Sequence, residues 1–289
     1  METLKAIILG IVQGCTEFFP VSSSGHLVFI PFLFNWDYIP VYYSVTLHFA
    51  TLLALLSVFY KEAWRIIRSF FTGIIKKTER KSNYFKLSIF IIIATIPAVL
   101  VGFFMSDYIE SFFNKPLFVG IFLVFTALFL FGGELIGKKM ERRYANSPGQ
   151  KEKNNYPAKK INYLTSLVTG IGQAIAILPG ISRSGTTISF ARAFGIKRED
   201  CVKFSMLLSI PVIFGAFIYE LTRSSEIIFT QDLSVTLNMI LSFVFAFISG
   251  FLSIKVLLRI ARRRNLNFFA IYCIVIAIII FILTAVRKI

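Results

Sequence analysis

Six stretches of the chain, roughly 41–60, 84–106, 116–137, 200–221, 235–258 and 268–287, are predominantly apolar. Each reaches the length of about 20 residues that a helix needs to cross a bilayer. Two further regions, 1–34 and 161–195, are equally apolar but broken near the middle by FPVSSSG and PGISRSG. A Pro followed by small hydroxylic residues ends a helix and leaves a short helical piece on either side. Such pieces suit re-entrant hairpins better than spans, because irregular backbone at membrane depth is tolerated only where protein or a wet cavity satisfies it. The pattern predicts an all-α polytopic membrane protein with six spans and four short re-entrant helices.

The two broken regions repeat each other. Residues 10–25 (GIVQGCTEFFPVSSSG) and 170–185 (GIGQAIAILPGISRSG) align without a gap at a separation of 160. This divides the chain into a first repeat, 1–160, and a second, 161–289. The first holds a hairpin (1–34), spans at about 41–60, 84–106 and 116–137, and basic loops 61–83 and 138–160. The second holds a hairpin (161–195) and spans at about 200–221, 235–258 and 268–287. Three crossings per copy turn the second copy over, so the hairpins enter from opposite sides and their tips meet near the midplane. A weaker echo, ATIPAVLVGFF at 94–104 and LSIPVIFGAFI at 208–218, does not share the offset. It reads as two Pro-kinked spans packing closely through Gly and Ala.

Composition agrees with this reading: 56% of the 289 residues are hydrophobic and the mean hydropathy is +0.74. A net charge of +16 would suggest a nucleic-acid partner for a soluble chain. Here its distribution explains it without one. Eight Lys and Arg fall in 61–86 and eight in 138–160; Lys197, Arg198 and Lys203 flank the second hairpin, and Lys255, Arg259, Arg262, Arg263 and Arg264 fill the fifth connection. The opposite side receives Lys115, Arg223, Arg287 and Lys288. That asymmetry requires six crossings and two non-crossing hairpins, with both termini outside the cytoplasm. The first apolar run leads into Glu17 and a Ser cluster instead of a small-residue cleavage site, so no cleaved signal peptide is expected. Cys15, Cys201 and Cys273 have no metal-ligand spacing and receive no role.

Ionisable residues at membrane depth are functional by default, and they gather in the two motifs. Gln13 and Glu17 are four apart, so a helix stacks them on one face. Ser22, Ser23 and Ser24 open the next short helix, and three hydroxyls exceed the need of one N-cap. His26 follows within a turn, as a general acid or base beside Glu17. His48 lies in a spanning segment without an acidic neighbour and reads as structural. In the second motif Arg183 takes the position of Ser23, among Gly180, Ser182, Ser184, Thr186 and Thr187. One reading is a salt bridge to Glu17 across the tips. The other is an anion site, in which glycine, hydroxyls, helix N–H groups and a guanidinium grip a phosphate or carboxylate. Alone it fits a transporter's carboxylate site; with Glu17, Ser23 and His26 it fits phosphoryl transfer. A channel fits poorly, since each ionisable residue occurs once instead of lining a path.

At these residues the chain resembles the undecaprenyl-diphosphate phosphatase family, also called bacitracin-resistance proteins, over essentially its full length. QGCTEFFPVSSSGHL at 13–27 is similar to one family signature and PGISRSGTT at 179–187 to another. The resemblance implies hydrolysis of undecaprenyl diphosphate to undecaprenyl phosphate in a bacterial cell membrane, at a site facing outward. It implies Glu17 as the essential carboxylate, Ser23 as nucleophile, His26 as the motif histidine and Arg183 as the diphosphate ligand. Gln13, Ser22, Ser24, Gly180, Ser182, Ser184, Thr186 and Thr187 would contact substrate. Ser24 stands where the family often has Thr. Gln13 stands where other members often carry Glu, which weakens any mechanism needing two carboxylates on a shared metal. A divalent cation such as Mg2+ or Ca2+, with Glu17 as its ligand, and a homodimer remain open, as does an inverted-repeat transporter or flippase.

Overall fold

The computed structural model describes residues 3–113, 115–145, 161–229 and 232–287, and every regular element among them is a helix. The order is α1 (Thr3–Phe18), α2 (Ser23–Phe34), α3 (Val41–Ile75), a short 3-10 helix (Lys77–Lys81), α4 (Asn83–Phe113) and α5 (Pro116–Ala145). Then follow α6 (Tyr163–Ile175), α7 (Arg183–Ala193), α8 (Arg198–Phe229), α9 (Leu233–Arg263) and α10 (Asn267–Arg287). Six of these, α3, α4, α5, α8, α9 and α10, are long and apolar enough to cross a membrane. The protein is therefore a multi-pass membrane protein. The other four have 16, 12, 13 and 11 residues, and each falls short of a full span.

The long helices overrun the apolar segments that predict them. The expected loop 61–83 is helical through Ile75 and again over Lys77–Lys81, and α5 continues to Ala145. Lys, Arg and Glu are good helix formers, so leaving the apolar run does not end a helix. The remainder of the second basic loop, 146–160, lies outside the described residues. α4 and α8 run on through Pro97 and Pro211. The Ala94 carbonyl, just before Pro97, accepts from Gln173 Nε2 at 3.2 Å. That carbonyl is one residue beyond the Ile93 carbonyl that Pro97 leaves unbonded, so the contact ties α6 to α4 without replacing the lost bond.

The short helices are held by close crossings. α1 lies along α9 and α6 along α4, while α5 and α10 pair with each other. A Cβ at Gly10 would collide with the Ser242 backbone on α9, and one at Gly170 would collide with the Ala94 backbone on α4. The two glycines thus do the same work, letting helix axes approach where lipid supplies no hydrophobic drive.

An ionic network centred on the buried Arg192 and Glu134, absent from the sequence reading, ties α5, α7 and α8 together. Arg198 makes a bidentate pair with Glu134, at 2.6 and 2.9 Å. Arg192, 1% exposed, donates to Glu141 at 2.7 Å and to the Ile196 carbonyl at 2.7 Å. With carboxylates and a carbonyl as partners, these cations need not face lipid unpaired.

Candidate active site

α1 ends at Phe18, and the chain turns through Phe19–Val21 to restart at Ser23. Ser22 is the N-cap of α2, its Oγ accepting from Gly25 N at 3.2 Å. Ser182 caps α7 in the same way, accepting from Gly185 N at 3.0 Å. Each cap hydroxyl also touches the serine two residues on: Ser22 to Ser24 at 3.3 Å and Ser182 to Ser184 at 3.2 Å. One serine of each motif is therefore engaged in starting a helix. Gly180 has φ +105°, which favours glycine, and its close backbone approach is to Val119 on α5. Thr126 on α5 holds this turn, donating to the Gly180 carbonyl and accepting from Ser182 N, each at 2.9 Å.

The two turns meet at one carboxylate. Glu17 is 6% exposed. Its Oε2 accepts from Ser23 Oγ at 2.6 Å and from Gln13 Nε2 at 3.1 Å. Its Oε1 accepts from Arg183 Nη2 at 2.8 Å. Gln13 and Glu17 are thus stacked on one face of α1, and the expected salt bridge from Arg183 is present. Arg183 is further oriented by the Ser205 carbonyl, 3.5 Å from Nη1. Thr187 turns inward to Ser205 Oγ at 2.7 Å and to the Arg183 carbonyl at 2.8 Å. Thr186 Oγ1 is buried and, among the described residues, has no hydrogen-bond partner.

The two histidines exchange the surroundings expected of them. His48 is not remote from acidic groups: its Nε2 lies 3.4 Å from Glu17 Oε2. Its Nδ1 is 2.8 Å from the Ser44 carbonyl, which only accepts, so Nδ1 carries a hydrogen. Nε2 is then the ring atom that faces Glu17. His26, expected beside Glu17, has both nitrogens occupied elsewhere. Its Nδ1 donates to the Ser22 carbonyl at 2.7 Å, and its Nε2 lies 2.8 Å from the Tyr272 hydroxyl. The two rings stack with centroids 5.6 Å apart. Arg287, further along α10, donates to the carbonyls of Phe32 and Leu33. α10 thus grips α2 at both ends.

A Ser hydroxyl donating to a buried carboxylate is poised to lose its proton, and the guanidinium beside it offers donors to an anion. For a divalent cation, the chain offers one carboxylate here, with both oxygens already taken by donors. Among the described residues no three His, Cys, Asp or Glu side chains converge. Ca2+ and Mg2+ require about six or more oxygen ligands, so the protein side chains do not form a cation site without oxygens brought by another molecule.

Residues 6–279 match the family of bacitracin resistance protein BacA. The chain belongs to the BacA family. It is 39% identical to the undecaprenyl-diphosphatase of Methanococcus vannielii, over 93% of this chain and 96% of the relative. It is 37% identical to the undecaprenyl-diphosphatase of Methanosphaera stadtmanae over 99% of both, and 34% identical to undecaprenyl-diphosphatase 1 of Shouchella clausii over 98% and 96%. In this BacA-family chain His48 reads from sequence as structural, and Tyr272, Thr126 and Ser205 give no sequence signal of their place at the site. Each reaches it from another helix, so no spacing along the chain announces it.

Proposed function

We propose that the protein is an integral membrane phosphatase that hydrolyses undecaprenyl diphosphate to undecaprenyl phosphate and inorganic phosphate, recycling the lipid carrier of cell-wall synthesis. The observation that carries this reading is the Ser23 hydroxyl, 2.6 Å from the Glu17 carboxylate and beside the Arg183 guanidinium. The names of the relatives supply the substrate.

In this reading Arg183 leaves Glu17 for the diphosphate, joined by Ser184, Thr186 and the free first-turn N–H groups of α7. Ser23 Oγ attacks the terminal phosphorus while its proton passes to Glu17. The bond from that phosphorus to the bridging oxygen breaks, undecaprenyl phosphate leaves, and water then hydrolyses the phosphoserine. His48 takes over from His26 as the partner of Glu17, its Nε2 lone pair accepting the proton that Glu17 collects. His26, held by Tyr272, fixes the start of α2 and so the place of Ser23. If a divalent cation such as Mg2+ or Ca2+ came with the substrate, Glu17 would be the protein residue to hold it, and the ion would supply charge neutralisation for the phosphates.

The same reading makes the short helix pairs two re-entrant hairpins of an inverted repeat, 1–160 and 161–289, with both termini and the site on the outer side. The Glu17–Arg183 contact between the tips and the shared Gly10 and Gly170 crossings support it. Purified protein in detergent, with no membrane to cross, is expected to release inorganic phosphate from undecaprenyl diphosphate. Absence of release from folded protein would abandon the phosphatase in favour of a transporter.

A further inference from the structure

The second half of α3 has a construction that the phosphatase reading does not use. At 35 residues the helix is about 50 Å long, against a hydrocarbon core of about 30 Å. Its backbone leaves helical geometry at Phe59, with φ −108° and ψ 21°, and beyond that point the helix has three faces. Ala63, Ile66 and Gly73 are buried. Trp64, Ile67, Phe71, Ile74 and Ile75 form an apolar stripe open to the outside, from 49% exposure at Ile67 to 81% at Ile75. Arg65, Arg68, Ser69, Thr72 and Lys76 form the third face, alongside that stripe.

This third face closes against the 3-10 helix and the start of α4 into a cavity of about 320 Å³, lined by Arg65, Arg68, Ser69, Thr72, Lys76, Glu79, Ser82 and Tyr84. Arg65 donates to the Tyr84 hydroxyl at 3.1 Å, and Ser69 meets Ser82 at 2.9 Å. Among the described residues no carboxylate lies within ion-pair distance of Arg68 or Lys76. A helix with an aromatic and aliphatic stripe beside a basic face is built to lie in the bilayer interface. Basic pockets at the ends of membrane-spanning helices take lipid phosphates.

We propose that this cavity binds the headgroup of an anionic phospholipid, with the Trp64–Ile75 stripe seated among its acyl chains. Arg68 and Lys76 supply charge to the phosphate, while the Ser69, Thr72 and Ser82 hydroxyls supply hydrogen bonds. The occupant is a membrane lipid and not free phosphate, because the apolar stripe adjoins the cationic face and would otherwise be left against water.

The chain holds two tryptophans, Trp36 and Trp64, so Trp36→Phe leaves Trp64 as a single reporter in the full-length protein. In reconstituted vesicles, brominated phosphatidylglycerol should quench Trp64 well beyond brominated phosphatidylcholine at equal mole fraction, reflecting local enrichment of about fivefold. The combined variant Arg65→Gln, Arg68→Gln, Lys76→Gln should lose that excess while phosphate release in detergent stays intact. Neutralising Lys138, Lys139 and Arg142 instead should leave the excess in place. Equal quenching by both lipids, survival of the excess in the Arg65, Arg68 and Lys76 variant, or equal loss in the control would overturn the proposal. So would abolition of the excess by millimolar inorganic phosphate, which would make the cavity a site for the free ion.

Discussion

The two serine-capped turns carry related sequences and end with different chemistry. Both start a helix with a serine cap, both touch a second serine, and both carry a glutamine nine residues before the cap. The glutamines already diverge: Gln13 donates to Glu17, whereas Gln173 donates to the Ala94 backbone. Where the first turn has Glu17, Ser23 and His26, the second has Ile177, Arg183 and Thr186. The shared serines start both helices, and of the divergent residues Ser23 and Arg183 converge on the Glu17 carboxylate. The two capped turns are built alike, and the polar groups that meet at Glu17 are divided between them.

If the proton chemistry belongs to the first turn alone, Ser23→Ala should have the largest effect. Turnover should fall by on the order of 10³-fold or more, with substrate affinity retained. Glu17→Gln should follow closely, because the amide keeps a hydrogen-bonding group but cannot take a proton. Phosphate release and lipid binding measured on the same protein separate the two effects. Undiminished release from Ser23→Ala would move the attack to water.

Arg183 tests the other half. Arg183→Ala should lower kcat/KM by about 10² to 10³, mostly through KM. Arg183→Lys should recover little, since a lysine lacks the planar fork. An unchanged KM with a reduced kcat would place Arg183 with the proton chemistry and erase the division between turns.

His48 sharpens the comparison, since it serves the first turn from outside it. Acting through Glu17, it should matter less than the 10² to 10⁴ of a base in direct contact with substrate. His48→Gln is expected to reduce kcat about tenfold with KM held, and Tyr272→Phe less than that. If His26→Gln cost far more than His48→Gln, the reassignment of the histidines would fail.

Much of this molecule is legible from its sequence because lipid enforces the pattern. Six apolar runs of spanning length leave few alternatives, and a Pro followed by serines marks where a helix stops and a capped one starts. The ends of the long helices are less legible, because the Lys, Arg and Glu that leave the hydrocarbon also favour helix, as Lys61–Ile75 illustrates. Tertiary pairing is not legible at all from spacing. His26 and Tyr272 are 246 residues apart and Glu134 and Arg198 are 64 apart. His48 looks inert in its own apolar segment because its partner lies on another helix. The rule that isolated polar residues at depth need partners would have flagged both Glu134 and His48.

The smallest expected effect concerns the caps themselves, where the turns are most alike yet differ in backbone. Ser22 has φ +71° and ψ 99°, whereas Ser182 has φ −73° and ψ 119°. A side chain at positive φ costs roughly 1 kcal/mol or more, and glycine removes that cost. Replacing a serine cap by glycine costs only a few tenths of a kcal/mol. Ser182→Gly should therefore destabilise slightly, while Ser22→Gly should be neutral or stabilising, the two differing by about 1 kcal/mol. Thermal unfolding in detergent reads the order directly. If Ser22→Gly is the more damaging of the pair, the Ser22 hydroxyl does more than cap, and its contact with Ser24 belongs to the site.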